Sequence, residues 1–270
     1  MRKMFIILLL FIVNETLFFN TAMADSKFIV VTTSLLNNAI HEIKPENSDL
    51  DVMVLLPPAS CPGHFDLSPR VIPSLRSASM IIRHDYQGIL EEKIFSINKK
   101  NLNVRIISTD SSPLIPNNYY DLVTEMSGIM LELYHDEKSV IDANVANVKK
   151  RIDKIKNDLE MVRTQLSGKP VISSIHVSEL CEWLGLDVVG ILKRPEETTP
   201  SDLAALCNLE ACLIIGNLQE GTQTAFSLGQ KMDIPVAVMS NFPNVDGFGE
   251  TYIDLINENV DRLAEIWQKQ

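Results

Sequence analysis

The chain has 270 residues and a formal net charge of −11, and 46% of its residues are hydrophobic. This length and apolar content are typical of a protein with a full hydrophobic core and exclude an intrinsically disordered chain. The negative charge argues against nucleic acids and anionic membrane surfaces as partners, because both repel an acidic protein.

A secretory signal peptide is predicted at residues 1–24. Two basic residues precede an unbroken apolar run, Phe5–Val13, and a small-x-small cleavage site follows at Ala22-Met23-Ala24. The apolar run is too short to cross a bilayer, and no later segment is long and apolar enough to do so. We therefore expect a periplasmic protein, cleaved after Ala24, with no direct membrane insertion once the leader is removed.

Eight strand-like runs alternate with helical segments along the rest of the chain. The runs are rich in β-branched residues and continuously apolar, as is typical of strands that are covered on both faces. They are Phe28–Thr32, Asp51–Leu56, Met80–Arg83, Val104–Ser108, Val171–Ile175, Asp187–Leu192, Cys212–Gly216 and Val236–Met239. Strands that alternate with helices predict βαβ units and parallel sheets.

One long amphipathic helix is predicted between the two sets of strands. From Ile141 to Leu166 apolar residues recur at alternating spacings of four and three, and Gly168 followed by Pro170 ends the pattern. A single apolar seam in a chain with eight flanking strands favours packing along both halves of one fold over a coiled coil. A second amphipathic helix is predicted from Glu250 to the C-terminus.

The predicted fold class is therefore α/β, with two doubly wound lobes of mostly parallel sheet joined by a long rigid backbone helix. We place the N-terminal lobe at 25–136, the connecting helix at 137–168 and the C-terminal lobe at 169–270. Ligands of open α/β sheets bind beyond the carboxyl ends of the strands. The sequence therefore predicts a ligand-binding site in the crevice between the two lobes.

Polar side chains follow the predicted strands, at the ends that should meet in this crevice. His64 lies on a loop stiffened by Pro and Gly beyond the second strand, and His176 directly follows the fifth. His84 and Asp85 follow the third strand. Further candidates on the same rim are Cys61, Asn117, Asn118, Asp121 and Asn241. Histidine combined with Asn, Asp or Cys indicates a transition-metal site, and imidazole suits zinc, iron and manganese.

Known catalytic signatures are missing from the sequence. It contains no HExxH, GxSxG, P-loop or GxGxxG motif, and nothing nominates a nucleophile or a general base. Binding is therefore favoured over catalysis, with a zinc-dependent hydrolase as a remote alternative.

Four cysteines in an oxidising compartment invite disulfides. Cys207 and Cys212 are the pair closest in sequence, and Cys61 and Cys181 each lie near a histidine. The latter two could form a second bridge, bind metal or remain buried thiols, and the sequence alone does not choose among these.

Several motifs taken together resemble one known family. In chain order they are the leader, P-P-x5-H-F-D-x-S-P, the long central helix, S-S-I-H, E-W-L-G-L-D-V-V-G, P-S-D-L and E-T-Y-I-D-L-I-N-E-N-V. The series is similar to the periplasmic metal-binding components of zinc and manganese ABC transporters, the TroA/ZnuA-like cluster A-I family, and looks like a divergent branch of it. The resemblance covers most of the mature chain, and its first and last motifs are the most specific.

The resemblance implies two lobes joined by a rigid helix, one divalent cation in the cleft and a membrane permease as partner. Typical members bind the metal with four side chains, which match His64, Asn118 (or Asn117), His176 and Asn241 here. Two of the four are thus amides, whose oxygen is a poorer zinc ligand than imidazole or carboxylate. Three explanations stay open. Another nearby group completes the site, the branch uses a different metal or ligand, or the site is largely lost. The candidate substitute ligands are His84, Asp85, Asp121 and Cys61.

The leading hypothesis is a monomeric periplasmic solute-binding protein that captures a divalent transition metal, with zinc ahead of manganese and iron. Its partner is expected to be the permease of an ABC transporter, with no role for nucleic acid. The alternative within the same fold is a binding protein for a metal chelate or another small solute, recognised by hydrogen bonds.

Overall fold

The protein is described by a computed structural model that covers residues 27–61, 67–97, 103–108 and 111–268. The predicted leader and His64 lie outside the described residues. Among the residues that are described, no helix combines the length and the apolar character that a membrane span requires.

The N-terminal lobe is built on a four-stranded parallel sheet. Its elements are β1 (Lys27–Val31), α1 (Ser34–Ile43), β2 (Leu50–Val54), α2 (Ile72–Ser77), β3 (Met80–His84), α3 (Gly88–Ile97), β4 (Val104–Ile107) and α4 (Pro116–Leu133). The strand order is β2-β1-β3-β4, and all neighbours run parallel. Apolar side chains cover both faces of this sheet: Val30 and Ile81 pack on one side, and Ile29 and Ile82 on the other.

The connecting helix is present and is nearly continuous. It comprises α5 (Lys138–Asp158) and α6 (Glu160–Leu166). The two segments are joined at Leu159, whose backbone stays in the right-handed helical region and donates a hydrogen bond to the Ile155 carbonyl. The predicted apolar seam faces the protein. Its buried members are Ile141, Val148, Ile152, Ile155, Leu159 and Leu166.

The C-terminal lobe repeats the same architecture. Its elements are β5 (Pro170–Ser174), α7 (Ser178–Trp183), β6 (Asp187–Leu192), α8 (Pro200–Leu206), β7 (Leu213–Asn217), α9 (Gln223–Met232), β8 (Val236–Met239) and α10 (Tyr252–Gln268). The strand order is β6-β5-β7-β8, again wholly parallel. The predicted fold class is confirmed, and every predicted strand ends within two residues of an observed one.

The lobes and the connecting helix share one hydrophobic core. A single cluster of buried side chains extends from Ile29 in β1 through the α5 seam to Ile215 in β7. At its centre the rings of Tyr119 from α4 and Tyr252 from α10 lie flat on each other, with 3.7 Å between their centroids. Since each ring comes from a different lobe, this contact ties the lobes together.

Candidate metal centre

The carboxyl ends of the two sheets meet at one interlobe rim. The Ser34 hydroxyl, just after β1, donates to the Pro243 carbonyl, beyond β8, at 2.7 Å. The Gln219 amide, just after β7, donates to the Pro58 carbonyl, beyond β2, at 2.9 Å. The loops that follow four strands are therefore in contact across the lobes, as the parallel-sheet prediction requires.

His176 lies on this rim, in the single 3-10 turn that follows β5. Its side chain is 41% exposed, and its Nε2 atom is 2.9 Å from Nη2 of Arg194. A guanidinium can only donate, so Nε2 carries a lone pair and the ring is neutral. Partial burial lowers the pKa of His176, and the charge of Arg194 lowers it further. This is the form of imidazole that binds metals.

Glu220 faces His176 from the loop after β7, with its Oε1 atom 3.3 Å from Nε2. Its side chain is only 3% exposed, and burial raises its pKa to about 7 although the charge of Arg194 opposes this shift. Neither oxygen accepts a well-formed hydrogen bond from any described residue, although Ser174 lies close enough to lower the pKa. A buried carboxylate without hydrogen bonds is costly, so an unused binding capacity remains here.

The local turn explains how this carboxylate is directed inward. The Gly221 N–H donates to the Leu218 carbonyl, and Gly221 has a φ of +90°, which a residue with a side chain rarely adopts. The Glu220 N–H donates to the Asn217 side-chain oxygen at 3.1 Å. The chain therefore reverses immediately after Glu220.

Asn241 lies beyond β8, close to this turn. Its side-chain oxygen accepts a hydrogen bond from the Asn217 amide at 2.9 Å, and its backbone N–H donates to Gln219. The side chain is thus placed on the predicted rim, but its oxygen already has a partner.

Asn117 and Asn118 lie in the first turn of the helix α4. Pro116 occupies the first position of α4, where its missing N–H leaves no donor unsatisfied. The Asn118 amide donates to the Ser112 carbonyl at 2.9 Å, whereas the Asn117 oxygen accepts from Lys156. Asp121, one turn further along, is exposed.

His84 is buried and does not project into the crevice as a loop residue would. It is the last residue of β3 and is 0% exposed, because the strand continues one residue beyond its predicted end. Its Nε2 atom is 3.0 Å from the Thr33 hydroxyl, and its ring stacks on Tyr86. Burial lowers the pKa of His84 to about 4. Asp85, in contrast, is exposed and accepts a hydrogen bond from the Tyr86 N–H.

The four cysteines are free thiols, so neither of the disulfides considered from the sequence is present. Cys181 is fully buried, 3.5 Å from the Ser173 hydroxyl, and burial raises its pKa to about 12. It therefore has the properties of a buried structural thiol. Cys61 is partly exposed and directly precedes the segment that contains His64.

The structure brings His176 together with two side chains that sequence reasoning missed, Glu220 and Arg194. No three His, Cys, Asp or Glu side chains converge as a metal site within the described ranges, which do not include His64. The sequence signal for Glu220 was its position three residues after β7, at the edge of the sheet where a site was predicted.

The chain matches a family of periplasmic zinc-uptake proteins and is similar in fold to solved structures of metal-binding proteins. The family described as "Zinc-uptake complex component A periplasmic" matches residues 29–266. A zinc-bound ZnuA deletion mutant has 15% identity and a TM-score of 0.74, covering 90% of this chain and 98% of that one. TroA of Treponema pallidum, a periplasmic zinc-binding protein, has 12% identity and a TM-score of 0.75, covering 89% and 99%.

A manganese-bound periplasmic metal-binding protein from Candidatus Liberibacter asiaticus is also similar, with 15% identity, a TM-score of 0.69 and coverage of 88% and 98%. At these identities the solved structures show the fold alone. A search of curated protein sequences gives no match. The family match, by contrast, extends over most of the chain and excludes the hydrolase alternative, because the family and its fold are those of solute-binding transport proteins. This chain belongs to the family of zinc-uptake complex component A, the periplasmic component.

Proposed function

We propose that this protein captures a divalent transition-metal ion in the cleft between its lobes and delivers it to the membrane permease of an ABC transporter. The observation that carries the proposal is the neutral imidazole of His176, whose Nε2 atom lies 3.3 Å from the buried carboxylate of Glu220 where the lobes meet. Zinc is placed ahead of manganese and iron, because imidazole favours zinc whereas manganese prefers oxygen ligands. The protein is proposed to act as a monomer in the periplasm.

His64 is the proposed ligand from the N-terminal lobe. The segment that carries it begins near Pro58, whose carbonyl is held by Gln219, the residue next to Glu220. A metal bound by one imidazole from each lobe would hold the cleft closed.

The remaining candidates are proposed in a graded order. Asn118 and Asn241 are proposed as oxygen donors at the edge of the site, since both side chains lie near the rim. The substitutes considered from the sequence rank below them. They are Cys61, His84, Asp85, Asn117 and Asp121. His84 and Asn117 rank lowest, because His84 is enclosed in the protein and Asn117 is exposed and paired with Lys156 of the connecting helix.

Replacing His176 with alanine is expected to weaken zinc binding at least about 100-fold. Removing a residue that only hydrogen-bonds to a metal ligand already lowers metal affinity about 10–100-fold. Isothermal titration of the chelator-stripped mature protein with zinc and manganese measures the effect. His135→Ala is the matched control, because His135 is exposed on the turn before α5 and should leave the affinity unchanged. Absence of metal binding by the wild-type protein, or equal binding by the His176 variant, would contradict the proposal.

A metal chelate is a second candidate ligand, and Arg194 is the observation that favours it. This guanidinium is half-buried at the rim beside His176, where it could pair with an anionic group of a chelator. Native mass spectrometry of protein purified from the periplasm of its native organism distinguishes a bare metal ion from a metal chelate. A bare metal adds only the mass of the ion, whereas a chelate adds the mass of an organic ligand as well.

A further inference from the structure

We propose that Glu220 is a direct ligand of the captured metal ion and, with His176, forms the C-terminal-lobe half of the site. The proposal rests on the proposed metal-binding function and adds a carboxylate to a site whose other candidate ligands are two imidazoles and two amides. The family resemblance does not include this residue, and in the sequence only its position after β7 pointed to it. The argument depends on distance, burial and the absence of any other role for the carboxylate.

The distance is that of two ligands on one ion. A tetrahedral zinc with bonds of about 2.0–2.2 Å to nitrogen and oxygen holds those two atoms about 3.4 Å apart. Glu220 Oε1 and His176 Nε2 are 3.3 Å apart. The two atoms already have the spacing that one shared ion requires.

An ion pair with Arg194 does not account for the burial of Glu220. A strong arginine–carboxylate pair makes parallel hydrogen bonds of about 2.7–2.9 Å. Here Nε of Arg194 is 4.0 Å from Oε1, and the guanidinium donates to His176 instead. A buried carboxylate that is not satisfied by its surroundings suggests a functional role.

Asn241 is a less suitable metal ligand than Glu220. Its oxygen accepts the Asn217 amide, and the oxygen of Asn217 in turn accepts the Glu220 N–H. The two asparagines therefore fix the turn that directs Glu220 inward. A carboxylate is also a stronger ligand than an amide oxygen for a transition metal, because it carries a full charge. Asn241 is accordingly a positioning residue for Glu220 in addition to any contact of its own.

The metal ion and the Arg194 guanidinium compete for the Nε2 atom of His176. The Nε2 atom of His176 has a single lone pair, which now accepts from Nη2 of Arg194. Binding of the ion therefore requires the guanidinium to move off His176. Removal of this internal cation should strengthen binding, so Arg194→Gln is expected to bind zinc more tightly than the wild type.

Glu220→Gln tests the proposal, because it keeps the shape of the side chain and removes the charge. We expect its zinc affinity to fall at least about 100-fold in titrations of the chelator-stripped mature protein. Loss of a residue that only supports a ligand costs about 10–100-fold in affinity, and loss of the ligand itself should cost at least as much. Glu197→Gln is the matched control. Glu197 is exposed and its charge acts on both His176 and Glu220, so this variant removes an equal charge from the same neighbourhood without removing a ligand. A change of less than about threefold is expected there, since an exposed charge contributes little.

A crystal structure of the zinc-loaded protein, with the ion located by anomalous scattering, gives a readout independent of affinity. We expect a Glu220 oxygen about 2.0–2.2 Å from the ion. If the wild type binds zinc but Glu220→Gln binds it equally well, or the loaded structure shows Glu220 away from the ion, the inference is wrong and the proposed function stands. If the wild type binds no metal, the proposed function itself fails.

Discussion

Replacing Tyr252 with alanine is expected to lower the free energy of unfolding by about 4 kcal/mol, the usual loss for a buried aromatic side chain. The ring is fully buried and lies flat on that of Tyr119 at 3.7 Å between centroids. Its hydroxyl donates to the Leu114 carbonyl at 2.9 Å, so the substitution leaves both a cavity and an unpaired backbone acceptor. Urea denaturation of the metal-free protein, followed by circular dichroism, measures the change.

The matched variant Tyr252→Phe separates the ring from the hydroxyl. It keeps the stacking on Tyr119 and loses only the bond to Leu114, so a loss of about 1 kcal/mol is expected. The Tyr252 backbone N–H, which donates to Asn38 of the other lobe, is unchanged in both variants. An alanine variant as stable as the phenylalanine variant would show that the ring pair does not hold the lobes together.

The architecture was predictable because burial on both faces leaves a clear pattern. A strand covered by helices on each side is apolar on both faces along most of its length, as in β7, where Leu213, Ile214 and Ile215 are all 0% exposed. The connecting helix was equally readable, since one apolar seam faces a core shared by both lobes. Strand ends were less certain, because the last residue of a strand can be either buried or exposed.

The site was only partly predictable, and the reasons are specific. His176 was found by its position after a strand. Glu220 was not, because a glutamate in a loop reads as a solvated charge until its burial is known. His84 was placed beyond the end of its strand, but the hydroxyl of Thr33, just after the neighbouring strand β1, gives its ring a partner inside the protein. Asn118 was placed on the rim, but Pro116 starts a helix that carries it.

The burial of His84 has a consequence for stability at mildly acidic pH. The ring is enclosed, and its Nδ1 atom has no hydrogen-bond partner in the structure. Protonation would place a charge in the core, so burial lowers the pKa to about 4, although the neighbouring charge of Asp85 opposes this shift. The unfolded chain, with an ordinary histidine pKa of about 6.5, binds more protons than the folded one between these values. Stability contributed by this group is therefore fully present above about pH 6.5 and is lost as the pH falls towards 4.

The expected loss from this residue is about 2 kcal/mol between pH 7 and pH 5, and about 3 kcal/mol over the whole window. Urea denaturation of chelator-treated protein at the two pH values measures this loss.

The variant His84→Phe keeps a ring that can stack on Tyr86. We expect it to be less stable than the wild type at pH 7, because the contact with Thr33 is lost. We also expect its stability to change by about 2 kcal/mol less between pH 7 and pH 5. His135→Gln removes an exposed histidine and should leave the wild-type pH dependence intact. If His84→Phe shows the same slope as the wild type, the acid sensitivity arises elsewhere and the buried ring is not its source.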